Sequence, residues 1–126
     1  MIYRGTKNGF RGKDFHKNCD YRGATLTIIK TESKDGSAIR ISGGYTDIPW
    51  ISVINDGFIE KIKESRGNSF IFSLRDNNCF EILKFLNNGF EVNHSNSLLC
   101  CFGFMDLILE SGCNKTYDKA YSKVGC

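Results

Sequence analysis

The chain has 126 residues, of which 40% are hydrophobic and 13% aromatic, and its formal net charge is +3. This composition excludes a disordered or fibrous chain and predicts one globular domain that buries roughly two-thirds of its unfolded surface. The charge is uneven, because residues 1–40 carry nine Lys and Arg against four Asp and Glu, a surplus of five. These basic residues are spaced singly, so they indicate a solvated basic face and not a nucleic-acid-binding surface.

Cysteine usage and the lack of long apolar runs indicate a reducing compartment. No stretch approaches the ~20 apolar residues of a membrane span, and the first residues lack the apolar segment of a signal peptide. The six cysteines are Cys19, Cys79, Cys100, Cys101, Cys113 and Cys126. We interpret them as free thiols, most of them buried, and we expect a cytoplasmic protein without membrane insertion.

The segment GKDFHKNCD predicts a short helix. Phe15 and Cys19 are four residues apart and share one face of it. His16 and Cys19 have a spacing that can hold a metal, but zinc needs a second pair and the sequence contains no C-x-x-C. We therefore interpret His16 as a helix-surface histidine and His94 as isolated, and we predict no metal and no cofactor.

A hairpin follows the helix. ATLTIIKTE is rich in β-branched residues and alternates, with Leu26 and Ile28 on one face. Asp35-Gly36 is typical of a hairpin turn, and the chain returns as AIRISGGY. The sequence therefore predicts an antiparallel hairpin over about residues 24–45.

Short strands dominate the rest of the chain. A surface excursion with some helix is expected over 51–68, and turns are expected at 76–78 and 87–89. SFIFSL predicts a buried strand with Phe70, Phe72 and Leu74 on one face, and CFEILKF predicts its partner. SLLCCFGF and DLILE are further apolar segments, whereas the tail from Ser111 is predicted to be loop. We expect a mainly β or α+β fold, a two-layer antiparallel β-sandwich with short flanking helices whose alternating apolar faces pack the layers together.

The stretch IRISGGYTDIPW holds the only Trp and the only Pro of the chain. Its Gly43-Gly44 pair follows a strand, but Pro49 forbids an immediate regular helix and no Lys-Ser/Thr pair follows, so a phosphate-binding loop is excluded. We interpret the two glycines as a bend or bulge in the strand, at positions where a Cβ would clash.

Thiol chemistry is the enzymatic alternative. A reactive cysteine needs a lowered pKa, from a helix N-terminus or nearby cations. Cys19 lies near the end of its helix, Cys79 heads an apolar strand, and Cys100 and Cys101 lie in the apolar LLCCF segment. A thiol-based peroxide-scavenging enzyme therefore remains the alternative to a binding module, and we predict no catalytic residue.

The strings YRGTKNGF, DFHKNCDYRGATLTIIKTE, GGYTDIPW and SFIFSL, in this order, resemble the TLDc (TLD) domain family, particularly its protist versions. The resemblance continues through DLILESGCNKTYDKAYSKVG and so covers nearly the whole chain. It marks as fold-signature residues Phe15, Cys19, Gly43, Gly44, Tyr45, Trp50, Phe70, Phe72 and Leu74. Tyr45 and Trp50 are expected to pack beside the two glycines.

The resemblance also implies a function. It implies a single TLDc-like domain over 1–126 that is truncated at both ends and lacks the closing strands at its C-terminus, with self-association through an unpaired sheet edge. It further implies a non-catalytic protein-interaction domain linked to oxidative-stress resistance, with subunits of the vacuolar-type proton-pumping ATPase (V-ATPase) as its partner. A truncated, non-functional family copy is a third reading. The residues that bind the partner are not identified by the sequence.

Overall fold

The structure is a computed structural model that describes residues 1–33, 35–52, 68–74, 80–84, 91–103, 106–114 and 120–122. Within these ranges there are two short helices and seven strands. The elements are α1 (Gly5–Asn8), α2 (Gly12–Cys19), β1 (Thr25–Glu32), β2 (Ile39–Thr46), β3 (Phe70–Leu74), β4 (Phe80–Lys84), β5 (Leu98–Phe102), β6 (Leu107–Glu110) and β7 (Ala120–Ser122).

The strands form two antiparallel sheets, which confirms the predicted fold class. The first sheet has the order β1-β2-β3-β4 and the second has the order β5-β6-β7. The tail was predicted to be loop, and this is wrong for Ala120–Ser122, which pairs with Leu107–Leu109 of β6. Three residues carry no periodic signal of their own, so pairing with a neighbouring strand decides their conformation.

Helix α2 forms where it was predicted. Asp14 in its first turn accepts hydrogen bonds from the Arg11 backbone N–H at 3.2 Å and from the Arg11 guanidinium at 2.9 and 3.1 Å. These bonds to Arg11 lower the pKa of the Asp14 carboxyl below its ordinary value. Gly12 lets the helix lie close to the chain before β5, because a Cβ there would meet the carbonyl oxygens of Asn96 and Leu98.

The predicted hairpin is confirmed. β1 and β2 pair without a register shift from Thr25–Thr46 to Glu32–Ile39. In the turn, the Asp35 carboxylate accepts hydrogen bonds from the Ser33 hydroxyl at 2.6 Å and the Ser37 hydroxyl at 2.7 Å. Gly36 follows with a φ of 69°, a left-handed backbone conformation that would be strained for a residue with a side chain.

The alternating apolar face of β1 was expected to pack between the two layers, and this is wrong for Leu26 and Ile28. Leu26 and Ile28 are 59% and 66% exposed, whereas Ile29, on the other face, is only 8% exposed. The inner face of the hairpin, which carries Ile29, instead presents small residues such as Gly44 and Thr46 to the core. Alternation fixes which residues share a face, but the volumes of the neighbouring layer decide which face is buried.

The main core lies between the first sheet, α2 and the second sheet. Its buried members are Phe15, Cys19, Ile29, Ile48, Trp50, Ile71, Val92, Leu99, Cys100, Phe102 and Leu107. A smaller cluster of Leu98, Cys101 and Ile108 lies on the other face of β5. The adjacent Cys100 and Cys101 therefore point to opposite faces, as expected for a strand.

Parts of several predictions lie outside the described residues. They are the segment 53–67 of the expected excursion and the two turns expected at 76–78 and 87–89.

Candidate functional site

Trp50 lies at the junction of α2 and the two sheets. Its side chain is 1% exposed, and its ring meets Phe15 of α2 edge-on at 5.6 Å between centroids and Phe102 of β5 at 5.4 Å. Its indole N–H donates a hydrogen bond of 2.9 Å to the hydroxyl of Thr25 in β1. Edge-to-face aromatic packing and a satisfied indole N–H make this residue a structural anchor that joins three elements.

The two glycines of β2 make room for two phenylalanine rings on opposite faces. A Cβ at Gly44 would lie 2.7 Å from the ring of Phe102. A Cβ at Gly43 would meet the backbone carbonyl oxygen of Thr27 and would lie 2.6 Å from the ring of Phe72. The expectation that a Cβ would clash is confirmed. Of the two alternatives, a bulge is wrong, because the register of β2 runs without a shift through both glycines on both sides, and a bend stays a prediction.

The other signature residues divide between the two sides of the first sheet. Phe15 and Cys19 are buried on α2 in the main core. On the opposite side, Tyr45 stacks on Phe70 with ring centroids 5.4 Å apart. The inner group is Phe15, Cys19, Gly44 and Trp50, and the outer group is Gly43, Tyr45, Phe70, Phe72 and Leu74. The rings nearest to Gly43 and Gly44 are those of Phe72 and Phe102. Trp50 meets Phe102 edge-on, whereas Tyr45 stacks on Phe70. That Tyr45 and Trp50 themselves pack beside the glycines stays a prediction.

A polar network ties the end of α2 to two loops. The imidazole Nδ1 of His16 lies 2.7 Å from the Asp20 carboxylate, and its Nε2 lies 3.1 Å from the carbonyl oxygen of Ser95. The Ser52 hydroxyl donates a 2.6 Å hydrogen bond to the second oxygen of Asp20. His16 was interpreted as a surface residue, and this is wrong, because its side chain is 5% exposed.

The partners of His16 decide its chemistry. A carbonyl oxygen only accepts hydrogen bonds, and an ionised carboxylate does the same. The Nε2 of His16 therefore donates its N–H to the carbonyl oxygen of Ser95, and its Nδ1 faces the carboxylate of Asp20. Both ring nitrogens of His16 are engaged by these partners, and the Ser52 hydroxyl faces the carboxylate of Asp20 and not the imidazole.

His94 is the second buried histidine. Its ring packs edge-on against Trp50 at 5.8 Å, and its Nδ1 accepts a hydrogen bond of 3.3 Å from the Ile51 backbone N–H. Among the described residues its Nε2 has no hydrogen-bond partner. Burial, with a smaller contribution from the charge of His16, lowers the pKa of His94 to about 4. The histidine is therefore neutral at pH 7.

Two of the described thiols lie in environments that disfavour the thiolate. Burial raises the pKa of Cys19 to about 11, and Asp20 adds to this shift. Burial also raises the pKa of Cys100 above its ordinary value. The four described cysteines carry reduced thiols, of which only Cys113 is even partly exposed. At Cys19 and Cys100 these shifts count against the nucleophile that the peroxide-scavenging alternative needs.

The described part of the chain offers no metal-binding cluster of three or more His, Cys, Asp and Glu side chains. Of the helices that it contains, neither has the length and apolar character needed to cross a bilayer.

The face of the first sheet that points away from the main core carries apolar side chains on all four strands, and we call it the outer face throughout. Its apolar register positions come from all four strands and are Leu26, Ile28, Ile39, Ile41, Tyr45, Phe70, Phe72, Leu74 and Ile82. The charged Lys30, Glu32 and Lys84 share this face by register, and Phe72 within it is buried. Leu26, Ile28 and Ile82 each expose at least half of their surface. Apolar side chains that are grouped on one surface are typical of a contact with another macromolecule.

The family of the chain follows from its sequence taken with this fold. The sequence model of the TLDc domain family matches residues 1–125. The chain belongs to the TLDc domain family. Members of this family are commonly linked to oxidation resistance, and TLDc domains are generally regarded as non-catalytic. No curated protein and no solved structure matches the chain.

Proposed function

We propose that this TLDc chain is a non-catalytic interaction domain of the cytoplasm that supports oxidative-stress resistance by binding a protein partner. The TLDc family match over residues 1–125 carries the proposal. The local chemistry agrees with it, because His16 and the thiols of Cys19 and Cys100 are buried, whereas apolar side chains are exposed on the outer face. A buried nucleophile with a raised pKa suits a core, and an exposed apolar surface suits a partner.

The partner that the family resemblance supplies is the V-ATPase. Two features of the outer face support a protein partner in general. Tyr45 and Phe70 form a stacked aromatic pair there, and aromatic residues are enriched where protein interfaces hold their binding energy. Ile82 adds an exposed apolar side chain on β4 at the far edge of the same face.

The test is co-purification of the full chain from a cell lysate, with V-ATPase subunits quantified in the eluate. Ile82→Lys places a charge on the outer face, and Asn114→Lys adds the same charge at an exposed turn after β6. We expect the wild-type chain and N114K to retain the subunits and I82K to lose most of them. Equal recovery with I82K and N114K would remove the outer face from the proposal, and no recovery by the wild-type chain would remove the V-ATPase.

The peroxide-scavenging alternative has its own readout. Each thiol is titrated with an alkylating probe between pH 5 and pH 9, and the modified residues are identified by mass spectrometry. We expect Cys19 and Cys100 to react slowly at every pH in this range, because burial raises the pKa of both thiols. A cysteine that reacts fast below pH 7 would favour the enzyme.

A further inference from the structure

The two sheets have four outermost strands, and one of them differs from the rest. β4 has five residues and β7 has three. β5 has a register shift between Leu98 and Cys100, and its end at Phe102 is bridged by Val92. β1 has eight residues, pairs with β2 without a shift, and has no strand on its other side within the described residues.

Proteins protect an edge strand by making it short, by a bulge, by proline or by charge. Three of the four outermost strands show the first or second of these devices. β1 contains no proline, and from Thr25 to Ile29 it contains no charge. Its backbone therefore presents a row of alternately outward N–H and C=O groups that suits the addition of another strand.

We infer that β1 is an interface between two copies of this chain, which pair antiparallel through their β1 strands about a two-fold axis at Ile28. The two four-stranded sheets then form one continuous sheet of eight strands. An interface on a two-fold axis uses the same surface of both copies, so the strand must be complementary to itself.

The sequence of β1 meets this requirement in the antiparallel orientation. Its charges, Lys30 and Glu32, lie at one end only. With the axis at Ile28, Lys30 lies opposite Leu26 of the second copy, and no charge faces a like charge. Thr25 lies opposite Thr31, a pairing that favours antiparallel strands. In a parallel arrangement Lys30 would lie beside Lys30 of the second copy, and the repulsion between the two positive charges would be unfavourable.

The side chains agree with this register on both faces of the sheet. Leu26 and Ile28 are exposed on the outer face, and pairing brings each next to an apolar side chain or the aliphatic stem of Lys30. On the inner face, Thr27 lies opposite Ile29 of the second copy. Shifting the pairing by one residue would exchange the two faces of the second sheet and place exposed apolar residues opposite buried ones. The register centred on Ile28 keeps the outer faces of both copies on the same side.

Sedimentation velocity of the full chain over a concentration series tests the inference. Because a strand edge buries little area, we expect association with a Kd of roughly 1–100 μM. Ile28→Lys places two lysines beside the axis, and we expect it to raise the Kd more than about tenfold. Ile82→Lys is the matched control, since Ile82 is half exposed on the same outer face but lies on β4. It should leave the Kd unchanged.

A charge-pair experiment guards against a variant that merely misfolds. I28K and I28E should each be monomeric, and an equimolar mixture should form a heterodimer with a Kd near that of the wild-type chain. Hydrogen exchange on the wild-type chain should show that the amides of β1 become protected as the protein concentration rises, while those of β4 do not change.

Three results would overturn the inference: a wild-type chain that is monomeric at concentrations on the order of 500 μM, I28K dimers as tight as the wild type, or a mixture of I28K and I28E that stays monomeric. The inference is independent of the proposed function. Loss of the V-ATPase with I82K leaves the dimer in place, and loss of the dimer with I28K leaves Ile82 and its surroundings available to a partner.

Discussion

The two faces of the hairpin formed by β1 and β2 show opposite relations between hydrophobicity and burial. The inner face presents Gly44 and Thr46 to the core, and the outer face carries large apolar side chains such as Leu26 and Tyr45. The reason lies in the opposing layer, where Trp50 and Phe102 fill the space between the sheets. Large rings need small neighbours, because a protein interior is close-packed. The difference shows that volume, not hydrophobicity alone, selects the buried face of this hairpin.

The adjacent isoleucines of β1 give the sharpest test of this comparison. Ile29 is 8% exposed and belongs to the main core, whereas Ile28 is 66% exposed. Ile29→Ala should lower the free energy of unfolding by about 2–5 kcal/mol, because it leaves a cavity. Ile28→Ala should change it by less than about 0.5 kcal/mol for the monomer. Urea unfolding of both variants at low protein concentration measures the pair, and equal losses would contradict the assignment of the faces.

Gly44→Ala tests whether the inner face is small because the ring of Phe102 requires it. A Cβ at this position would lie 2.7 Å from that ring, which is fully buried beside Trp50 and cannot move freely. We expect a loss of about 1–3 kcal/mol in the free energy of unfolding, as for other overpacked cores. Adding G44A to Phe102→Leu should lower the free energy of unfolding by less than adding G44A to the wild-type chain does. Additive losses in the double variant would show that the ring and the glycine are not coupled.

The buried His94 predicts a dependence of stability on pH. His94 has a pKa lowered to about 4 in the folded chain, below its ordinary value of 6.5. The unfolded chain therefore takes up a proton first as the pH falls. The stability that comes from neutral His94 is complete above about pH 6.5 and is lost as the pH falls through 4, with a slope of at most about 1.4 kcal/mol per pH unit.

Chemical unfolding of the wild-type chain and of His94→Gln between pH 7 and pH 4 measures this slope. Gln retains an oxygen that can accept the Ile51 N–H, but it does not titrate. The variant should lack the part of the slope that belongs to His94. Identical slopes in the two proteins would assign the pH dependence to other groups.

We expect the smallest change in the free energy of unfolding from a substitution of Tyr21. It is 77% exposed and has a φ of 58°, a left-handed conformation that is unfavourable for a side chain with a Cβ. Its backbone N–H donates a hydrogen bond of 3.0 Å to the carbonyl oxygen of Trp50, which holds the corner between α2 and β1. Tyr21→Gly should raise the free energy of unfolding by roughly 0.5–1 kcal/mol.

A thermal scan of Y21G against Tyr21→Ala tests this explanation. The Ala variant also lacks the ring but retains the backbone strain, so it should be no more stable than the wild-type chain. If Y21A is as stable as Y21G, the gain comes from loss of the exposed ring and not from the backbone.

The local features of the fold could be predicted from the sequence. The helix around Phe15 and the hairpin of β1 and β2 form where spacing and turn chemistry placed them, because their determinants lie within a few residues of each other. The short strand at Ala120–Ser122 could not be predicted, since only its pairing with β6 defines it.

The surroundings of the histidines could not be predicted, because their partners are distant in the sequence. His16 binds Ser95, 79 residues away, and His94 binds Ile51, 43 residues away. The outer face was equally inaccessible. The spacing of Leu26 and Ile28 predicts that they share a face, but their exposure depends on how the rings of Trp50 and Phe102 occupy the opposite side of the sheet.

The position of Trp50 has a practical consequence for spectroscopy. It is the only tryptophan of the chain, and its indole is surrounded by the rings of Phe15, His94 and Phe102 from three separate segments. A single fluorophore therefore reports on the separation of any of these segments. The native emission should lie at short wavelength and shift to the red when water reaches the indole, so that one optical signal follows the integrity of the whole junction.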